Sequence, residues 1–190
     1  MATAVFLFSG LTMKNFINAI TFVSRLCGIA AACMIFLSVL VVMQMIWVRF
    51  VLVESTYWQT EFVTYLLIAA TFIGSPYVLM TRGHVNVDLL PIFLSHRKRV
   101  FLALFSSILA LAFCVLITWL GYKFWLEAWE KNWHSDSIWG VRLWIPYASM
   151  PFGFLILSLQ YVADIINVIQ GKEMPFGIPR DHVENLRGEE

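Results

Sequence analysis

Residues 26–48 read LCGIAAACMIFLSVLVVMQMIWV, 23 positions without an acid, a base or a histidine. At 1.5 Å per residue, a helix of this length crosses the ~30 Å hydrocarbon core of a bilayer. The same gap recurs three times. Residues 62–81 (20 positions, after Glu61), 100–122 (23, after Arg99) and 143–163 (21, after Arg142) are equally free of ionisable side chains. The expected fold class is therefore an all-α integral membrane protein with four transmembrane helices plus amphipathic interfacial helices.

Composition agrees with that reading. Of 190 residues, 60% are hydrophobic, 16% aromatic and only 13% charged, with a mean hydropathy of +0.77. A soluble domain carries about 25% charged residues to keep its surface wet. A net charge of +1 without a basic stripe excludes a nucleic-acid binder. Cys27, Cys33 and Cys114 lie inside apolar stretches, with no Cys-x-x-Cys and no Cys/His cluster. They read as small packing residues, and neither a structural metal nor a disulfide framework is expected.

Three regions follow along the chain. Residues 1–25 form an N-terminal cytoplasmic or interfacial segment, in which 14–25 read as a short amphipathic approach. Met13 followed by Lys14 would make a natural start, with residues 1–12 an extension. Residues 26–163 form the transmembrane domain. Residues 164–190, with nine charges in 27 positions, read as a mostly disordered cytoplasmic tail. The side holding both termini and the loop between spans two and three carries nine of the 13 Lys and Arg residues, and the opposite side carries four. By the positive-inside rule both termini are expected in the cytoplasm.

All eight tryptophans fall near the ends of the spans on the other side. At 100° per residue, Tyr122, Trp125, Leu126, Trp129 and Trp133 share one helical arc, opposite Lys123, Glu127, Glu130, Lys131 and His134. The third helix is expected to continue outward as an amphipathic helix over about 122–134, until Ser135-Asp136-Ser137 and Gly140 break it. The face of Trp125, Trp129 and Trp133 suits either lipid headgroups or a partner protein.

Chemistry of its own is hard to find. Proton relays and ion paths in membranes use ionisable residues inside the spans, and the four gaps contain none. The four histidines lie in loops or the tail, and no paired external cysteines exist to support a thiol oxidase. No enzyme activity, metal or cofactor is expected. Packing chemistry is present instead. Ala70 and Gly74, and also Thr71 and Ser75, are small residues four apart, the spacing that lets helix backbones approach closely. A looser version runs through Ala103, Ser106, Ser107 and Ala110. Pro76 is expected to kink the second span, and Gln44 could bond across helices.

The polar punctuation is more specific. Gln44, Arg49 and Phe50 close the first span, and Glu61, Phe62 and Tyr65 open the second. That span runs through Phe72-Ile73-Gly74-Ser75-Pro76 and leaves by Arg82-Gly83-His84-Val85-Asn86-Val87-Asp88. The fourth begins Trp144-Ile145-Pro146-Tyr147 and continues Met150-Pro151-Phe152-Gly153. In this order, over roughly residues 13–168, the series resembles the small membrane subunit (DctQ type) of tripartite ATP-independent periplasmic (TRAP) transporters.

The resemblance implies a scaffold subunit in a bacterial inner membrane. Its implied partners are a large membrane subunit that moves an organic acid on a sodium gradient, a periplasmic substrate-binding protein, and membrane lipids. Residues expected at the large-subunit or lipid interface are Gln44, Arg49, Glu61, Tyr65, Ala70, Gly74, Pro76, Arg82, His84, Asp88, Trp125, Trp129, Trp133, Pro146 and Pro151. Glu61 suits a solvated first-turn acid on the helix dipole or a contact with the large subunit. His84 and Asp88 could bond on one helical turn, or Asp88 caps a short helix through Leu89-Leu90-Pro91. With Arg82 they would pin an arm against the bilayer or the large subunit. Residues 96–99 form a basic anchor for anionic headgroups. Pro146 suits a first helical turn, and Pro151 is expected to kink the fourth span. The alternatives are a self-sufficient four-helix membrane redox enzyme, motivated by size and helix count, and a homo-oligomeric structural membrane protein, motivated by the small-residue stripes.

Overall fold

A computed structural model describes residues 2–81 and 96–169. Helix α1 (Ala2–Trp47) continues into one π-helical turn (Val48–Leu52), and α2 (Gln59–Met80) follows. Then come α3 (His96–Glu130), the short α4 (Trp144–Tyr147) and α5 (Ser149–Ile169). Among the described residues the structure is all-α, and four stretches are long and apolar enough to cross a membrane: Met13–Leu52, Gln59–Met80, Val100–Glu130 and Trp144–Ile169. Helices suit this environment because each satisfies its own backbone where water is absent. The buried or lipid-facing hydroxyls do likewise: Thr21, Ser38, Thr71, Ser75, Thr118 and Ser158 each donate to the carbonyl four residues back, at 2.7–2.8 Å.

The helices are not arranged as a closed bundle. α1 packs chiefly on α2, α2 on α1 and α5, and α3 on α5 with a small contribution from α4. α5 also touches α1, so it meets all three other spans, and α3 stands at an edge.

Small residues set the close approaches. Gly28 of α1 lies against the Tyr77 ring, where a Cβ would clash. A Cβ on Gly74 would stand 3.1 Å from that of Ala31. Ala70 and Gly74 are buried in this contact, whereas Thr71 is exposed and Ser75 bonds its own helix. Of the two stripes read in the second span, one is the packing face and the other is not.

Pro76 is fully buried and α2 runs through it from Gln59 to Met80. Proline has no N–H, so the Phe72 carbonyl loses its i+4 donor. Gly153 of α5 comes directly against that carbonyl, in a space no side chain could enter. The Phe72 and Phe154 rings meet beside it at 5.7 Å. A glycine approach of this kind supplies weak C–H contacts to a carbonyl that the bilayer cannot satisfy. The motif segments 72–76 and 150–153 are therefore two halves of one helix crossing.

Several expectations shift. α1 is one continuous helix through residues 14–25 and the first span. α3 ends at Glu130, four residues short of the expected end, and Asn132 takes a left-handed φ of 49° as the chain turns back. The fourth span is interrupted at Ala148, and Pro151 lies in the first turn of α5, where proline's missing N–H costs nothing. α5 continues past Asp164 to Ile169. Cys27 and Cys114 are buried, but Cys33 faces outward. Residues 82–95 and 170–190, with Arg82, His84 and Asp88 and most of the tail, lie outside the described residues.

A candidate partner face at the tryptophan-rich ends of the helices

The tryptophan-rich ends of the helices are joined by a short strap, residues 131–143. Its two limbs pair as a miniature hairpin: Ser135 N–H donates to Val141 O, and Leu143 N–H to Trp133 O, both at 2.9 Å. Gly140, at φ +59°, supplies the left-handed turn. The strap crosses the N-terminal end of α2, where Trp58, Phe62 and Trp139 form a ring cluster with centroids 5.9–6.2 Å apart.

Glu61 completes that attachment. Its two carboxylate oxygens accept one hydroxyl each, from Tyr65 one turn along α2 (2.6 Å) and from Ser137 of the strap (2.5 Å). Glu61 stands in the first turn of α2, as the helix-dipole reading expects, and it has a further part that neither reading foresaw. It ties this chain's own strap to α2. No sequence signal connects positions 61 and 137, which stand 76 residues apart.

The tryptophan face of α3 is likewise used within the chain. Trp125 Nε1–H donates to Trp144 O at 3.0 Å, and the Trp129 ring meets Trp144 edge-on at 4.4 Å. Trp133, beyond the helix end, leaves that arc and packs on Phe124, whose other contact is Tyr147. The opposite side of α3 carries the exposed Glu127–Lys131 ion pair. Trp129 remains 50% exposed, so the cluster is anchored internally but not covered.

Two apolar grooves open beside this cluster, with Ala148 and Phe152 lining both. The first, of about 540 Å³, runs between α3 and α5 and includes Trp119, Trp125, Pro151 and Leu155. The second, of about 570 Å³, lies between α2 and the fourth span under the strap. Tyr65, Ile73, Pro146 and Trp139 line it, together with Met34 of α1. Four residues named from the sequence thus reach one face of the molecule: Tyr65 and Pro146 in the second groove, Trp125 and Pro151 in the first. Phe152, half-exposed between the grooves, is the central residue; the sequence reading quoted it within its motif but did not place it at the interface.

The remaining named residues are placed differently. Gln44 does bond across helices, accepting from Gln59 Nε2 at 3.5 Å, while Gln59 Oε1 is buried without a partner. Arg49 donates through Nε to Thr56 Oγ1 at 2.9 Å, bracing the turn in which Val53 takes a left-handed φ of 52°. Ala70, Gly74 and Pro76 are buried against this chain's own helices.

Sequence reading also missed a buried polar contact at the other end of the spans. Ser24 Oγ–H donates to Gln160 Oε1 at 2.8 Å, and Gln160 Nε2 donates to Asp164 Oδ1 at 3.0 Å. Ser24 is fully buried and Gln160 is 3% exposed. The signal available was polar residues within apolar runs, which in lipid mark helix–helix contact.

Comparison with known proteins points the same way as the ordered motifs. Residues 37–171, well over half of the chain, match the family described as tripartite ATP-independent periplasmic transporters, DctQ component. The match begins inside α1, later than the residue-13 start of the resemblance, and ends just beyond α5. No curated protein matches. Four membrane-crossing helices, the motif pair that forms the α2–α5 crossing and this match together place the chain in the DctQ family, a multi-pass membrane component of TRAP transporters.

Proposed function

We propose that this chain is the small scaffold subunit of a sodium-driven TRAP transporter, supporting the large permease subunit and helping to dock the periplasmic substrate-binding protein for uptake of an organic acid. The observation that carries the reading is the strapped second groove. It is an apolar recess in the outer half of the spans, with a tied, polar-edged strap above it. A membrane partner helix fits against the apolar wall, and a soluble partner can rest on the strap. Scaffolding also suits a molecule whose helices pack through small residues and satisfied hydroxyls. Both termini sit on the cytoplasmic side of the bacterial inner membrane in this reading.

Purification of the tagged chain from its own membranes tests it. The expected result is recovery of a larger multi-span protein with the chain, and loss of sodium-dependent organic-acid uptake when the chain is deleted. Recovery of a stable homo-oligomer that transports solute alone would overturn the reading.

A further inference from the structure

The strap carries one apolar side chain in the middle of a polar tip. Ile138 is 83% exposed, although both of its neighbours are held down. Ser137 donates its hydroxyl to Glu61 of α2, and Trp139 packs on Trp58 and Phe62 at the same helix end. The backbone around Ile138 is fixed as well. Ser137 N–H donates to Ser135 Oγ at 3.3 Å, Trp139 N–H to Ser137 Oγ at 3.2 Å, and Gly140 N–H to Ser137 O at 3.1 Å. Ile138 is thus presented rather than left loose: the same residues that tie the strap to α2 keep it away from the chain's own apolar surface.

What meets Ile138 follows from where the strap can lie. Irregular backbone facing hydrocarbon leaves polar groups unsatisfied, so the strap stands outside the bilayer core. Lipid headgroups are a poor match too, because membrane-binding segments surround their apolar residues with basic ones. Here the charge at the tip is the exposed Asp136, and Glu61 is bonded to Ser137, while His134 and Arg142 pair across the base of the hairpin. A permanent subunit contact would be broad and apolar. One fixed apolar residue in a polar, acid-edged rim suits a reversible contact, in which a few preorganised residues carry most of the binding. We propose that Ile138 is the anchor on which a soluble protein docks, seated in an apolar socket whose rim offers cations or N–H donors to Asp136. The anchor rests on the docking role proposed above for the strap, and gives that role a residue and a partner surface.

A photoreactive phenylalanine analogue at position 138, in native membranes, identifies the partner. The expected capture is one soluble, exported substrate-binding protein. Capture of the large subunit, of lipid or of nothing overturns the anchor. The captured protein, purified, is then the probe against this chain and its large subunit in a lipid nanodisc. Ile138→Asp is expected to weaken its Kd roughly tenfold or more, and Ile138→Leu to keep it within about threefold. Phe50→Ala, which removes an 84% exposed ring outside the strap, leaves it unchanged. The thermal midpoint of Ile138→Asp should match wild type, since the side chain is mostly in solvent. Equal binding by wild type and Ile138→Asp, or equal weakening by Phe50→Ala, overturns the anchor but leaves the docking reading standing. A probe that does not bind the wild-type complex ends both.

Discussion

α3 and α5 cross the same membrane side by side, yet they are built in opposite ways. The α3 span is the more apolar, with a mean hydropathy of 2.8 against 1.8 for the fourth span, but 11% of its most apolar stretch is buried against 33%. Phe101, Phe105, Ile108, Leu109 and Phe113 of α3 face outward, while α5 buries Ser149, Gly153, Ser158, Gln160 and Ala163, with Ile156 and Leu157 as its two large buried residues. In water this would be inverted. In lipid no hydrophobic force draws helices together, so the most apolar surface belongs to lipid and the interior is made chiefly by small and polar residues. For this chain, hydropathy locates a helix in the membrane but marks its outside, not its core.

The comparison can be broken most severely at Gly153. Replacement by Leu forces a side chain into the Phe72 carbonyl, with no flexible neighbour to yield, and is expected to cost about 3 kcal/mol or to prevent folding. Thermal unfolding in detergent measures it, and Phe113→Ala on α3, a position 59% exposed, should change stability by no more than about 0.5 kcal/mol. Similar losses at the two positions would erase the contrast between helices.

A smaller effect sharpens it at the strap. Glu61→Ala removes the acceptor for Tyr65 and Ser137 and is expected to cost about 1–2 kcal/mol. Its distinctive mark is faster amide hydrogen exchange in residues 131–143, with the α3–α5 contact unchanged. Least of all should follow from Lys131→Ala. It breaks an exposed i,i+4 pair with Glu127, worth about 0.3–0.5 kcal/mol at best.

Much of this was legible in the sequence, for identifiable reasons. Charges are excluded from hydrocarbon, so four gaps gave four spans. The pair Ala70 and Gly74 announced close packing, and Gln44 found a cross-helix partner in Gln59. Periodicity could not choose between Ala70/Gly74 and Thr71/Ser75, because both have the same spacing. Helix order was invisible, since no local pattern tells α1 that it abuts α2 through Gly28 and Tyr77. The Glu61–Ser137 tie was hidden by its sequence separation. A break in the fourth span was expected from Pro151, but its place at Ala148, between the two prolines, was not. Of the aromatic arc expected on α3, Trp125 and Trp129 share a face while Trp133 leaves it beyond the helix end, and Trp144, which receives the pair, belongs to another helix.

The central claim is that the strapped groove, rather than the apolar flank of α1, receives the large subunit. A photoreactive phenylalanine analogue at Ile73, on the wall of that groove, tests it in native membranes, with Phe36 as the comparison site. The account predicts a cross-link from position 73 to a single larger membrane protein and none from position 36. A dimer of this chain from position 73, or the larger protein captured only from position 36, would contradict it.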